Sequence, residues 1–302
     1  MSEDKKADKP ACCASDGIAE VDDIKLVPCD GCDLVSYCSD ECQKDHIPDH
    51  KEDCKKRAAE LRDELLFKQP ESSHMGDCPI CMIPLKLDMT KSVMMNCCSK
   101  IVCTGCVYAN EKREDEMRLD HTCPFCREPV PKTNKERYKQ MMKRVEANDP
   151  VAVRVEASNK YNKGHYSRAF TYWTQVAELG DANAHFRLSC LYRDGRGVEK
   201  DEGKKIYHLE EAVIGGHPDA RHNLGNHEWS NGNFERAVQH FVIAATQGND
   251  RSIKWLINLF KEGHVSKDSL ANTLRAHQAA ADETKSPQRE VAEMYYQSKG
   301  FL

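Results

Sequence analysis

The sequence predicts a multidomain chain: two small metal-stabilised α+β fingers followed by an all-α helical-repeat solenoid. Three observations predict it. Of the 16 cysteines in 302 residues, all but Cys190 fall between Cys12 and Cys126. Within that stretch they stand in Cys-x2-Cys pairs at regular distances. Beyond it the chain is nearly free of cysteine, and glycines recur there about every 31 to 37 residues.

Composition narrows the function classes. No apolar run approaches the roughly 18 to 20 residues that cross a bilayer, and the start MSEDKKADKP has no apolar signal core. These features predict an intracellular protein, cytoplasmic or nuclear, with no membrane partner. In a reducing compartment many cysteines point to metal rather than disulfides. The formal charge of −5, from 44 Lys+Arg against 49 Asp+Glu, argues against nucleic-acid binding. There is no phosphate-binding glycine loop, no HExxH and no GxSxG. With the clustered cysteines taken as ligands, no nucleophile is predicted, and Cys190 in SCLY reads as a small core residue.

Taken in order, residues 1–11 are polar and predicted to be disordered. Residues 12–54 hold the first cysteine cluster. Residues 55–73 form a linker helix: Ala58, Leu61 and Leu65 recur at i, i+3, i+7, with Leu66 and Phe67 widening the stripe, and Pro70 ends it. Residues 74–132 hold the second cluster, 133–149 a connecting helix and 150–302 the repeats.

The first cluster runs Cys29-x2-Cys32, Cys38-x3-Cys42, His50-x3-Cys54. Zinc takes four tetrahedral nitrogen or sulfur ligands, which this set can supply. The string YCSDECQKDHIPDHKEDC resembles the MYND zinc finger, over residues 13–54. The resemblance implies interleaved pairing, with Cys29, Cys32, His50 and Cys54 completing one zinc site. The other combines Cys38 and Cys42 with an upstream pair, where Cys13 is followed by Asp16 in place of cysteine. Three arrangements are open: Asp16 ligates through oxygen, Cys12 swings in beside Cys13, or the site binds zinc weakly. The reading adopted is a filled but weaker site with Cys13 and Asp16. Such fingers bind short proline-containing peptides, often with a tryptophan where this chain has Ile47. His46 reads as an exposed helix residue rather than a ligand.

The second cluster runs Cys78-x2-Cys81, fifteen residues, Cys97-Cys98, four residues, Cys103-x2-Cys106, sixteen residues, Cys123-x2-Cys126. Eight ligands suit two zinc ions. The run resembles a RING finger, which implies alternating pairs: Cys78, Cys81, Cys103 and Cys106 on one ion; Cys97, Cys98, Cys123 and Cys126 on the other. Cys98 directly follows Cys97 where most RING fingers have a spaced histidine, and Lys100 and His121 stand nearby. CPIC and CPFCREP look like a ubiquitin-ligase RING. That resemblance implies that Ile80, Pro124 and Arg127 contact a ubiquitin-conjugating enzyme and ubiquitin, a catalysis by positioning. A ligase is therefore the first functional expectation, and a non-enzymatic adaptor that only assembles partners is the alternative. Four zinc ions are expected in all, the site with Asp16 the weakest.

In the last half an aromatic residue precedes glycine by three at Tyr161/Gly164, Tyr192/Gly195, Trp229/Gly232 and Phe260/Gly263. Gly180, Gly216 and Gly248 form a second set, with Ala177, Ala212, Ala244 and Ala245 ahead of them. Glycine suits a helix C-cap and alanine a close helix crossing, so helix–turn–helix units follow. The stretch LYRDGRGVEKDEGKK resembles the Sel-like repeat, a relative of the tetratricopeptide repeat, over roughly residues 150–285. The resemblance implies a scaffold for protein partners. The aromatic stripe of Tyr172, Trp173, Phe186, Tyr207, Trp229, Phe241 and Trp255 is expected to be mostly core.

Overall fold

A computed structural model describes Ala14, residues 26–29, Cys32 and residues 35–300, apart from the Ile47 side chain. The expected disordered start, Cys12, Cys13 and Asp16 lie outside the described residues. The chain divides into two units between Lys68 and Gln69.

In the first unit β1 (Val27–Pro28) pairs antiparallel with β2 (Ser36–Tyr37). Helix α1 (Asp40–Phe67) follows, its N-terminus capped by the Ser39 hydroxyl, which accepts from Cys42 N. The sequence predicts a linker helix over residues 55–73. The helix instead begins at Asp40 and runs through Pro48, so the segment with the candidate ligands and the linker are one rod. Its four-residue spacing then lines Cys42, His46, His50 and Cys54 along one face. The described core gathers around Cys29, Cys32 and Tyr37, with Leu26, Val35 and other cysteines packed against them, too little to fold without a cross-link or metal.

The second unit opens with a cysteine module. Strands β3 (Ser92–Met94) and β4 (Ile101–Cys103) form an antiparallel hairpin with Val93 opposite Val102. Helix α2 (Thr104–Met117) follows, and Leu85, Met95, Val102 and Val107 pack among the cysteines. The first and last Cys-Pro-x-Cys knuckles repeat one fold. Cys78 N donates to Ile83 O at 3.0 Å and Cys123 N to Glu128 O at 2.8 Å. The residue after each second cysteine, Met82 or Arg127, is left-handed, with φ of 55° and 64°.

Then come α3 (Asn134–Glu146), α4 (Pro150–Asn162), α5 (Tyr166–Ala177), α6 (Ala182–Asp194), α7 (Glu202–Ile214), α8 (Pro218–Ser230), α9 (Phe234–Thr246), α10 (Asp250–Lys261), α11 (Lys267–Glu283) and α12 (Pro287–Ser298). Helices α4 to α11 pack in consecutive pairs. The repeated glycines end them, all with φ between 70° and 90°, a backbone that side chains other than glycine's rarely accept. Ala212, Ala244 and Ala245 are fully buried where helices cross. One core gathers around Trp173 and a second around Phe241.

In the aromatic stripe Trp173 and Phe241 are buried, while Tyr207 is 53% exposed and Trp255 36%. One detail differs from the sequence reading. Cys190 is half-buried on α6 rather than in the core, and burial pushes its thiol up. A two-layer array leaves one flank of each helix facing outward.

The cysteine module lies along the edge where second helices turn into the next first helices. A Cβ on Gly216 would sit 3.6 Å from Pro70, and one on Gly248 3.8 Å from Leu87. Gln69 Nε2 donates to Thr246 Oγ1 at 2.9 Å, and the His74 and His217 rings lie 4.5 Å apart. Helix α12 returns to pack on α2, so the module is held at both the array's edge and its end.

Candidate metal centres

Three ligand sets converge among the described residues. Cys29, Cys32, His50 and Cys54 form one; Cys78, Cys81, Cys103 and Cys106 a second; Cys97, Cys98, Cys123 and Cys126 a third. Within each, the ligand atoms lie within 4.8 Å of one another. The geometry fits a tetrahedral ion: zinc–sulfur bonds of about 2.3 Å place neighbouring sulfurs ~3.8 Å apart. The Cys29–Cys54, Cys81–Cys103 and Cys98–Cys123 sulfurs are 3.7, 3.8 and 3.9 Å apart. Cys97–Cys126 is tighter at 3.3 Å, and Cys32 Sγ is 3.1 Å from His50 Nε2. The three sets could each hold a zinc ion.

The two sets in the second module interleave. The first takes both of its pairs from around the second set's Cys97-Cys98, and the helix α2 N-terminus enters it directly: Cys103 caps α2 with its sulfur, which accepts from Cys106 N at 3.4 Å. Cys103 N in turn donates to Cys78 Sγ at 3.5 Å. Backbone donors and a helix N-terminus both favour thiolate. Hydrogen bonding from Cys103 pulls Cys78 down to about 4. Burial pushes Cys106 up to about 12 and Cys98 up to about 11, aided by neighbouring sulfurs. Sulfurs packed this closely oppose one another's ionisation, and a divalent cation removes the conflict.

Neighbouring side chains hold the ligands. His46, read from sequence as an exposed helix residue, is half-buried. It stacks on His50 at 5.7 Å between ring centroids and bonds through Nδ1 to Tyr37 Oη at 3.1 Å. Before the last knuckle the buried Glu114 carboxylate accepts from Thr122 N and Oγ1 at 3.2 and 2.6 Å. His121 faces Glu114 and Asp115, and Lys100 lies 5.7 Å from the Phe125 ring centroid; neither enters a ligand set. Arg289 on α12 donates to Cys81 Sγ at 3.5 Å. Nothing in local spacing marks Arg289, and only the fold brings it to the module. His46 could have been found from its four-residue register with His50.

The remaining sequence-derived positions scatter. Cys38 and Cys42 lie with sulfurs 3.5 Å apart, while Cys13, Asp16 and the spare Cys12 fall outside the described residues, as does the Ile47 side chain. Pro124 lines a groove of about 230 Å³ with Met95, Val107 and Asn110. Arg127 Nη1 donates to Asn110 Oδ1 at 2.7 Å. Ile80 is 41% exposed and lies outside that groove.

The MYND finger family model matches residues 11–54. No curated protein matches the chain. Among solved structures, a Sel1 repeat protein from Oxalobacter formigenes is similar at 20% identity, covering 58% of this chain and 71% of its own, with a TM-score of 0.43. A second is c5321, a protective antigen of uropathogenic Escherichia coli strains displaying an SLR fold, at 18% identity and a TM-score of 0.38. That match covers 56% of this chain and 37% of the other. No helix among the described residues is long and apolar enough to cross a membrane. The family match thus falls on the segment that carries Cys29, Cys32, His50 and Cys54, and the helical array is described by its own helix pairs.

Proposed function

We propose that the chain is a zinc-built adaptor that assembles protein partners and performs no chemical step of its own. Its modules are a MYND-like finger at 12–54, a RING-like finger at 74–132 and Sel-like repeats at 150–302, working inside the cell where thiolates stay reduced. Zinc is the ion by donor chemistry: borderline-soft sulfur and imidazole sets of four, closed to solvent ligands, are structural zinc sites. A fourth ion joins Cys38 and Cys42 to Cys13 and Asp16, and binds weakest because carboxylate replaces thiolate.

One observation carries the adaptor reading. The RING-like finger is seated on the repeat array through α12 and the repeat turns, which suits a part that presents two binding surfaces at a fixed geometry. The arginine that a ligase would offer to ubiquitin, Arg127, is engaged with Asn110.

A RING-type ubiquitin ligase is the second reading, favoured by the exposure of Ile80 and Phe125, at 41% and 42%, which α12 leaves open. The zinc-loaded full chain, assayed for autoubiquitination against a panel of conjugating enzymes, separates the two. An adaptor yields no conjugates with any of them. Conjugates that vanish in Ile80→Ala and Arg127→Ala replace the adaptor reading with the ligase.

A further inference from the structure

Arg289 reaches a candidate metal ligand, Cys81, from outside the cysteine module. It lies on α12, is only 5% exposed, and comes 208 positions after the cysteine it contacts. Its guanidinium donates to Pro84 O at 2.7 Å, Thr284 O at 2.8 Å, Ile83 O at 2.9 Å and Cys81 Sγ at 3.5 Å. Three of these acceptors are neutral carbonyls. Among the described residues no carboxylate pairs with Arg289, so the buried positive charge has only sulfur as a possible counter-charge. A buried cation left with neutral acceptors is costly. Four thiolates around a divalent ion leave an excess of negative charge, which a buried guanidinium offsets.

The seat of α12 is made from the ligand loop itself. A Cβ on Gly105, inside the Cys103-Thr-Gly-Cys106 knuckle, would come 2.9 Å from Arg289 Cγ and 3.0 Å from its Cα. The helix backbone can approach only because that position is glycine. Gln288 Nε2 donates to Gly105 O at 3.1 Å in the same loop. Farther along α12, Glu293 bridges Lys86 and Lys91 at 3.2 and 2.5 Å, and the Tyr295 ring lies 4.8 Å from Tyr108. The last helix therefore rests on a surface whose shape depends on how Cys78, Cys81, Cys103 and Cys106 are held.

We propose that Arg289 is an outer partner of the metal at Cys78, Cys81, Cys103 and Cys106, so that metal occupancy and the seating of α12 stabilise one another. Each event favours the other by the same factor, because coupling between two equilibria is reciprocal. The inference rests on the reading of this set as a zinc site.

Two measurements on the full chain test it. The first is zinc affinity by competition with a chromogenic chelator. Arg289→Met should weaken one zinc ion by roughly 10- to 100-fold, the usual effect of losing an outer partner, and leave the others unchanged. Arg289→Lys, which keeps the charge but not the fork, should recover a large part of that loss. The second is amide exchange of the wild-type chain with and without zinc. Stripping the metal should speed exchange over residues 287–298 by at least about tenfold while leaving α5 to α8 protected. This measurement decides the matter even if the methionine variant does not fold. Wild-type zinc affinity in Arg289→Met, equal loss in the lysine and methionine variants, or metal-independent exchange over 287–298 overturns the inference alone. A chain that takes up no zinc overturns the metal reading as well.

Discussion

The Glu156 carboxylate is fully buried on α4, yet it accepts from Lys160 Nζ and Tyr138 Oη, each at 2.8 Å, and from Asn159 Nδ2 at 3.2 Å. Burial alone raises its pKa; these donors, Lys160 first, more than offset that and hold it below the ordinary carboxylate range. A depressed folded pKa contributes stability that is full above the unfolded value, about 4.3, and is lost as pH falls through the folded one. Glu156→Gln should cost about 1–3 kcal/mol at neutral pH and flatten the fall in Tm below about pH 4.3. Calorimetry across that range checks it, and an unchanged acid slope counts against the assignment. At this scale the three convergent ligand sets are legible in the sequence, because thiolate and imidazole chemistry constrains both type and spacing. The residues that steady them are less so. Tyr37 and His46 meet through a strand–helix packing, and Asn110 meets Arg127 across a loop, neither of which spacing encodes.

Among elements, the repeat helices are the most readable, since each turn needs a left-handed residue and glycine marks it. Helix α1 is the least, because the apolar stripe of Ala58, Leu61 and Leu65 marks only the linker, whereas the turns before it carry candidate ligands spaced by four residues and no apolar pattern. Helix α3 begins in a capping box: Thr133 Oγ1 accepts from Glu136 N at 3.2 Å and Glu136 Oε2 accepts from Thr133 N at 3.2 Å. Thr133→Ala should lose about 1 kcal/mol, read as a shift of the urea midpoint with unchanged slope. Trp173, 1% exposed at the centre of the first helical core, carries far more. Trp173→Ala should cost about 3–5 kcal/mol, and amide exchange should speed first in α4 to α6. A uniform change along the whole array would contradict two separable cores.

At the scale of the whole molecule, convergent ligand sets and helix packing divide the labour. Elemental analysis of the full chain should give at least three zinc ions, one for each described set; two or fewer would remove one of them. Chelation should unfold both cysteine modules, whose cores are too small to stand alone, while most helical circular dichroism persists. Simultaneous loss of both signals would contradict the division. The cysteine clusters and the repeats were each legible because each is periodic. The seating of one on the other was not, because it joins Pro70 to Gly216, Leu87 to Gly248 and Cys81 to Arg289 without any pattern. That seating limits how the chain can evolve. Helical arrays commonly grow or shrink by whole units, since each unit contacts only its neighbours. Here one added unit would carry α12 away by about 10 Å, the spacing of packed helices, and Arg289 could no longer meet Cys81 while Leu87 kept its place. The finger lies against the array like a ruler, and a change in the number of repeats would break one of its two contacts.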